Sequence, residues 1–374
     1  MKYKVRFVNP QKQYRDHRQE FLKTIDDVFS RGDLILRQDL ENFEKKFAKF
    51  VGAKYAIGVN SGTDALTLSM LAIDLKPGDE GVTVGHTFMA SISCLYHCGA
   101  TAKLIDVGPD FNMDPDLIER AITKKTKVIV PVHLNGRMCD MEKIMKIAQK
   151  HKLLVVEDAA QAIGAKIKIN NKWKHAGTFG IAGCFSMYPF KMLGAFGDAG
   201  MVVTNDAKIA KKVSLLRYNG ENRERKAFFY HGHTALLDNI QAALLDIKLK
   251  YLPGWIKRRK RIAELYNKGL KDVPEINVPI FKDPRFYDVW QNYVVRAKKR
   301  NELKKYLEKV AKVETLISWP RPTYKEPVLQ PNKIYLPENE KICKEVISLP
   351  MYPEVTDDQI KYVIKLIRKF YKKE

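Results

Sequence analysis

Between residues 54 and 158, five short apolar runs alternate with amphipathic stretches, and this alternation limits what the chain can fold into. KYAIGV (54–59) is followed by a helical period over 63–75, VTV (82–84) by one over 88–98, and AKLIDV (102–107) by one near 114–122. KVIVPV (127–132) precedes a helical stretch over 140–150, and LLVVED (153–158) closes the series. Strands that are apolar along nearly their whole length are buried on both faces, which calls for a parallel sheet with helices on either side. The pattern predicts an α/β fold built on a mostly parallel sheet.

Two further runs, CFSM (184–187) and GMVVTN (200–205), have too little chain between them for a crossover helix. They are therefore predicted to pair antiparallel, with Lys191 on the irregular connection. From about residue 236 the texture changes to long helical periods, LLDNIQAALLDIKLKYL and IKRRKRIAELYNKGL. A strand-like WQNYVVRA, a helix and a final helix over 356–371 follow. This order predicts a large α/β domain over 1–250 and a smaller α+β domain over 251–374.

A content of 45% hydrophobic and 29% charged residues over 374 positions suits a globular protein. No apolar run approaches the roughly 18 residues of a membrane span, and the start, MKYKVRFVNPQKQYRDHRQE, lacks the apolar segment of a signal peptide. A cytoplasmic protein with no membrane partner is expected. The five cysteines are odd in number and set mostly in apolar surroundings, which fits reduced thiols. Cys94 and Cys98 have helical spacing and no second pair, so no metal site is expected. The formal charge of +23 would suit a nucleic-acid binder, with WIKRRKR (255–261) and AKKRNELKK (297–305) as phosphate contacts. These runs interleave with apolar residues at helical spacing, without stacking aromatics, and read as solvated helix faces. No nucleic-acid partner is expected.

In an open α/β sheet, ligands gather at the carboxyl ends of the strands, and three segments end there with suitable chemistry. In NSGTDAL (60–66) a strand turns through Gly62 into a helix whose first turn carries Thr63. That is either an ordinary helix cap or a phosphate seat of free amides and a hydroxyl. In VVEDAAQAIGA (155–165) the apolar strand ends in Glu157 and Asp158, with Gln161 three residues on. A carboxylate leaving a buried strand needs a cation or several donors, so Asp158 is either a structural cap or a binding group. Lys191, five residues after Ser186, becomes a nucleophile once desolvation lowers its pKa. A phosphate seat, a buried acid and a lysine at one sheet edge meet the needs of pyridoxal phosphate. A dinucleotide site does not fit, because Gly194, Gly197 and Gly200 have GxxGxxG spacing and precede a strand.

The chain carries SGTDAL, HTFMAS, PVHLNGRMCDM, VVEDAAQAIGA, FSMYPFKMLGAFGDAGMVVTND, LLDNIQAALL and SLPMYPEVTDDQ in that order. With these motifs it resembles the DegT/StrS-type sugar aminotransferases, fold-type I pyridoxal-phosphate enzymes that make amino sugars on nucleotide carriers. The likeness runs from about Phe7 to the last helix. It implies that Lys191 binds the cofactor as a Schiff base and shuttles a proton, that Asp158 pairs with the pyridine nitrogen and that Gln161 bonds the ring hydroxyl. It further implies that Phe88 stacks on the ring and that Gly62, Thr63 and Ser186 hold the phosphate. The implied reaction has two halves: an amino acid, by family analogy glutamate, leaves pyridoxamine phosphate, and a nucleotide-linked keto sugar then takes the amine. The setting would be lipopolysaccharide or other glycan biosynthesis, and the assembly a homodimer with shared active sites.

The departures from the family pattern fall near the implied partner contact and sugar pocket. Thr234 stands where the family commonly has an Asn that reaches the neighbour's phosphate, Leu236 replaces an Arg, and the loop that often reads HYPxP is SWPRP (318–322). Thr234 is the residue expected to act on the partner's cofactor. Related sugar dehydratases resemble aminotransferases that have exchanged the lysine for histidine, so retention of Lys191 favours transamination. The full set Asp158, Gln161 and Lys191 argues against a non-catalytic cofactor-bound regulator and against a plain nucleic-acid binder.

Overall fold

The computed structural model describes residues 3–330 and 334–372. The chain forms strands β1 (Tyr55–Val59), β2 (Glu80–Val84), β3 (Thr101–Ile105), β4 (Thr126–Ile129) and β5 (Leu154–Asp158). Strands β6 (Lys166–Ile169), β7 (Lys172–His175), β8 (Ala182–Ser186) and β9 (Gly200–Thr204) follow. Seven of these make one sheet in the order β3-β2-β4-β5-β8-β9-β1. Strands β3, β2, β4, β5 and β8 run parallel, and β9 is antiparallel to both β8 and β1. The antiparallel pairing expected for 184–187 and 200–205 is present, with Cys184 opposite Val202.

Each strand feeds two cores because successive side chains leave opposite faces. Val155, Phe185 and Val203 enter one core, whereas Val156, Cys184 and Val202 enter the other. This double burial is the physical reason the strands are almost uninterrupted apolar runs. The helix Gly62–Ala72 covers one face and begins with Ser61, whose Oγ accepts from the Asp64 N–H at 3.0 Å. All five cysteines are buried and free.

Sequence periodicity overlooked two features. The first is a set of helices, Pro10–Asp16, Arg18–Arg31 and Gln38–Val51, the last of which buries Leu40, Phe43, Phe47 and Val51. The second is the hairpin of β6 and β7, which pairs with Phe286–Tyr287. Its sequence, KIKINNKWKH, has too few apolar positions to stand out as a strand pair.

The two helical periods beyond residue 236 are one helix, Asn239–Leu270, which continues through Pro253. Pro253 and Gly254 face solvent while the neighbouring Leu252, Trp255 and Ile256 are buried, so packing carries the helix across the missing N–H. Positions 250 and 251, where the sequence suggests a domain division, lie inside this helix. Past it, strands Ile276–Asn277, Tyr293–Ala297 and Val346–Leu349 form a small antiparallel sheet. A third core lies against that sheet, and Val5 from the start of the chain joins it and pairs with Val313. Among the described residues no helix is long and apolar enough to cross a membrane.

Candidate active site

A cavity of about 630 Å³ opens at the carboxyl edge of the parallel strands, and Gly62, Thr63, Phe88, Asp158, Gln161, Ser186 and Lys191 all line it. These seven residues, spread over the chain from Gly62 to Lys191, meet there because β1, β2, β5 and β8 all end on that edge.

The phosphate end is defined by close backbone packing. A Cβ placed on Gly62 would lie 2.7 Å from Ser186 Cβ, and one on Gly200 would lie 2.2 Å from the Ser61 carbonyl oxygen. Glycine at both positions lets the start of the helix press against the ends of β8 and β9. The first two amides of the helix, Gly62 and Thr63, are the donors every helix start leaves without an intrahelical partner. They face the cavity together with the Ser186 side chain.

Alternation along β5 sends its two terminal acids to different tasks. Glu157 is fully buried and accepts from the amides of Gly177, Phe179 and Gly180 at 2.9, 2.6 and 2.8 Å. His133 Nδ1 accepts from the Cys139 N–H at 3.1 Å, which leaves the ring proton on Nε2, 3.0 Å from Glu157 Oε2. Glu157 is thus a fully satisfied structural group. Asp158 lines the cavity, with Oδ2 accepting from Ser91 Oγ at 2.6 Å and Oδ1 from the Ala160 N–H at 3.1 Å. Since Ser91 gives its proton to Asp158, the 2.8 Å contact between Thr87 Oγ1 and Ser91 Oγ has Thr87 as donor. This hydroxyl relay is a site feature that the sequence alone left unread. Ser91 belongs to the HTFMAS segment, one helical turn beyond Thr87, and that spacing was the available signal.

Gln161 Oε1 accepts from the Asn135 N–H at 2.8 Å, so its Nε2 is the end left to donate. Lys191 stands on a turn in which its N–H donates to the Tyr188 carbonyl at 2.8 Å. Burial lowers the pKa of its ammonium, and the Asp158 carboxylate pulls the other way. A lysine shifted in that direction is poised to act as an amine. Phe88 lines the cavity yet is 63% exposed, so its ring stands at the mouth. Trp319, from the SWPRP loop, also reaches the cavity, and its ring meets His86 edge-on at 5.3 Å.

Thr234 is exposed and does not line the cavity of its own chain. Its Oγ1 donates to Asn219 Oδ1 at 3.3 Å, and the next carbonyl, Ala235 O, accepts from the N–H of the cavity residue Asn60 at 3.0 Å. Arg217, a nearby cation, is buried and committed to Glu44 Oε1 at 2.5 Å and to the Gly58 carbonyl at 2.7 Å.

Pyridoxal phosphate fits this donor set. Glycine at position 62, where a Cβ would meet Ser186, lets the helix start sit close against Ser186 at the cavity, and Asp158 presents a carboxylate already oriented by two donors. Gln161 has a free amide donor, and Lys191 carries a depressed pKa.

The chain as a whole is similar to known proteins. The model of the DegT/DnrJ/EryC1/StrS aminotransferase family matches residues 15–368. The chain is 40% identical over 358 residues to dTDP-3-amino-3,6-dideoxy-alpha-D-galactopyranose transaminase of Aneurinibacillus thermoaerophilus, covering 95% of this chain and 96% of that protein. It is 38% identical over 368 residues to a pleiotropic regulatory protein of Geobacillus stearothermophilus, covering 96% of each. Its fold matches the crystal structure of S. venezuelae DesV in complex with a ketimine intermediate, with a TM-score of 0.93 at 35% identity. That match covers 99% of this chain and 98% of the other.

Proposed function

Because the chain belongs to the DegT/DnrJ/EryC1/StrS aminotransferase family, we propose that the cavity around Lys191 exchanges the ketone of a nucleotide-linked sugar for an amine. The protein is a pyridoxal-phosphate-dependent sugar aminotransferase. The observation that carries this reading is the meeting of Lys191, Asp158, Gln161 and the Gly62–Thr63 helix start in one cavity.

Pyridoxal phosphate, when bound, supplies an electron sink that lets an amino group leave one carbon and join another. The chain's own residues do the rest. The amides of Gly62 and Thr63 and the Ser186 hydroxyl anchor the phosphate. Asp158, held by Ser91 and the Ala160 N–H, would offer its negative charge to the ring nitrogen. Gln161 donates through Nε2 to the ring hydroxyl. The Lys191 amine would carry the proton away from the donor carbon that loses nitrogen and would deliver a proton to the sugar carbon that gains it.

Glutamate is the proposed amino donor and a dTDP-linked 3-keto sugar the first substrate to try, since a similar protein is named for a dTDP-3-amino sugar. A homodimer with shared sites is supported by the exposed aromatics Phe228, Phe229 and Tyr230 on the segment that carries Thr234, and by the open ring of Phe88. In such a dimer Thr234 would reach the partner's phosphate. The chain works in the cytoplasm, where nucleotide sugars feed glycan assembly.

A regulatory reading is favoured by one observation, the name of the Geobacillus relative. The tests are colour and turnover. A purified aminotransferase loaded with cofactor is yellow, bleaches on borohydride treatment and converts at least one dTDP-, UDP- or GDP-linked keto sugar in the presence of glutamate. A regulator would be yellow without turnover, and a nucleic-acid binder colourless with steeply salt-dependent affinity.

A further inference from the structure

Gln291 grips the peptide units on both sides of Lys191. Its Oε1 accepts from the Met192 N–H at 2.8 Å, and its Nε2 donates to the Phe190 carbonyl at 3.1 Å. The side chain is buried and comes from the segment before the strand Tyr293–Ala297, far from Lys191 in sequence. That segment is itself fixed. Arg259, also buried, donates through Nη1 to the carbonyls of Trp290 and Gln291 at 3.1 Å each and to Met351 at 3.0 Å. The Val289 N–H donates to the Gly136 carbonyl at 2.9 Å, and Trp290 holds a left-handed φ of 59°.

A lysine side chain has four freely rotating carbons, so the direction of its Cα–Cβ bond decides which space the amine can sample. That direction is set by the two peptide planes flanking Lys191, and the Gln291 amide holds one atom of each. The grip needs a donor and an acceptor side by side, which a carboxamide offers and a carboxylate does not.

We propose that Gln291 is a positioning residue for Lys191: reaching across from the C-terminal part of the chain, it fixes the backbone that aims the lysine amine into the cavity. Gln291 lies outside the cavity lining, so it acts through the lysine and not on a ligand. The ionisable groups around Lys191 are Asp158, Asp198, His133 and Tyr188 on the cavity side, and Arg259, Tyr352 and Glu354 in a small chamber behind it. Gln291 adds no charge to this set. Releasing the backbone therefore changes the exposure of the amine, and a better solvated ammonium regains protons at higher pH.

The experiment measures Lys191 in the full-length protein stripped of cofactor, so its outcome is independent of the sugar assignment. The rate of reductive methylation of the Lys191 peptide is followed by mass spectrometry across pH. Gln291→Met, which keeps the shape and removes both hydrogen bonds, raises the midpoint by about 1 unit. Gln291→Asn stays neutral and keeps the carboxamide but falls one methylene short of residues 190 and 192, so it shifts the midpoint in the same direction. Reloaded with cofactor, the variants lose kcat by about tenfold while KM for the sugar stays within about twofold. Tyr266→Phe is the control, because it removes a bond to the Pro350 carbonyl in the same region without touching residues 190 or 192. It lowers the melting temperature and leaves the midpoint in place. If the Gln291 variants behave like this control, with lower stability and an unmoved midpoint, the proposal is overturned. Should Gln291→Met fail to fold, the neutral Gln291→Asn decides by the same reading.

Discussion

The Ser91 hydroxyl donates to Asp158 Oδ2 at 2.6 Å, 67 residues away in the chain, and so aims the carboxylate before any ligand arrives. Thr87 backs Ser91 from the bend that precedes the helix Ala90–Tyr96, and the Thr323 hydroxyl in turn donates to the Thr87 carbonyl at 2.7 Å. A hydrogen bond to a charged group contributes about 1.5–3 kcal/mol. Ser91→Ala is therefore expected to fold and to lose about tenfold in kcat/KM for the amino donor. Steady-state kinetics with a circular-dichroism check of the fold measures this. Wild-type kinetics in the variant would mean that Asp158 needs no such support.

The cradle at the helix start gives a second prediction. Gly62→Ala places a methyl group 2.7 Å from Ser186 Cβ, so the helix start must move away from the end of β8. Overpacking of this kind costs about 1–3 kcal/mol. Because the displaced amides are the proposed phosphate donors, cofactor affinity is expected to fall by more than the melting temperature suggests. Titration of pyridoxal phosphate followed by visible absorbance gives the dissociation constant. An unchanged constant would place the phosphate elsewhere.

Acid sensitivity follows from the buried His86 and the half-buried His175. Burial, reinforced by Arg296, pushes His86 from 6.5 to about 4, and burial with Lys166 pushes His175 from 6.5 to about 4. Both are neutral in the fold, whereas the unfolded chain takes up protons earlier. Their contribution to stability is complete above pH 6.5 and is lost as the pH falls toward about 4. His86 accounts for on the order of 3 kcal/mol across that window, and the half-buried, better solvated His175 for less. Urea midpoints are expected to drop steeply between about pH 6.5 and 4.5, and less steeply in His86→Asn. Equal slopes in the two proteins would remove His86 from this explanation.

What could be read from the sequence follows from how local each signal is. The parallel strands were legible because burial on both faces makes them continuous apolar runs, and β5 ends in Asp158 as LLVVED suggests. The connection bearing Lys191 was legible because 184–187 and 200–205 lie too close for a crossover. The helix Asn239–Leu270 was read as two because a local rule stops helices at proline, while the buried residues on either side of Pro253 decide otherwise. The bonds from Ser91 to Asp158 and from Gln291 to Phe190 and Met192 join residues 67 to 101 positions apart. No periodicity encodes such pairs, so the fold had to be known first. Thr234, which the family likeness assigns to a partner's phosphate, is exposed and does not line its own cavity, and one chain's contacts do not reveal its target.

The most direct measurement is nitrogen transfer from isotopically labelled glutamate to a nucleotide-linked keto sugar, read by mass on the sugar product, for the wild-type protein and Lys191→Ala. The cavity places Lys191 beside Asp158 and Gln161, and among the described residues it is lined by no second lysine. The wild type should therefore deliver labelled nitrogen to at least one dTDP-, UDP- or GDP-linked sugar, and Lys191→Ala should deliver none above background while keeping its fold. Labelled product from the alanine variant at near wild-type rate, or none from the wild type with any of these sugars, would contradict the assignment of Lys191 as the lysine of a nucleotide-sugar aminotransferase.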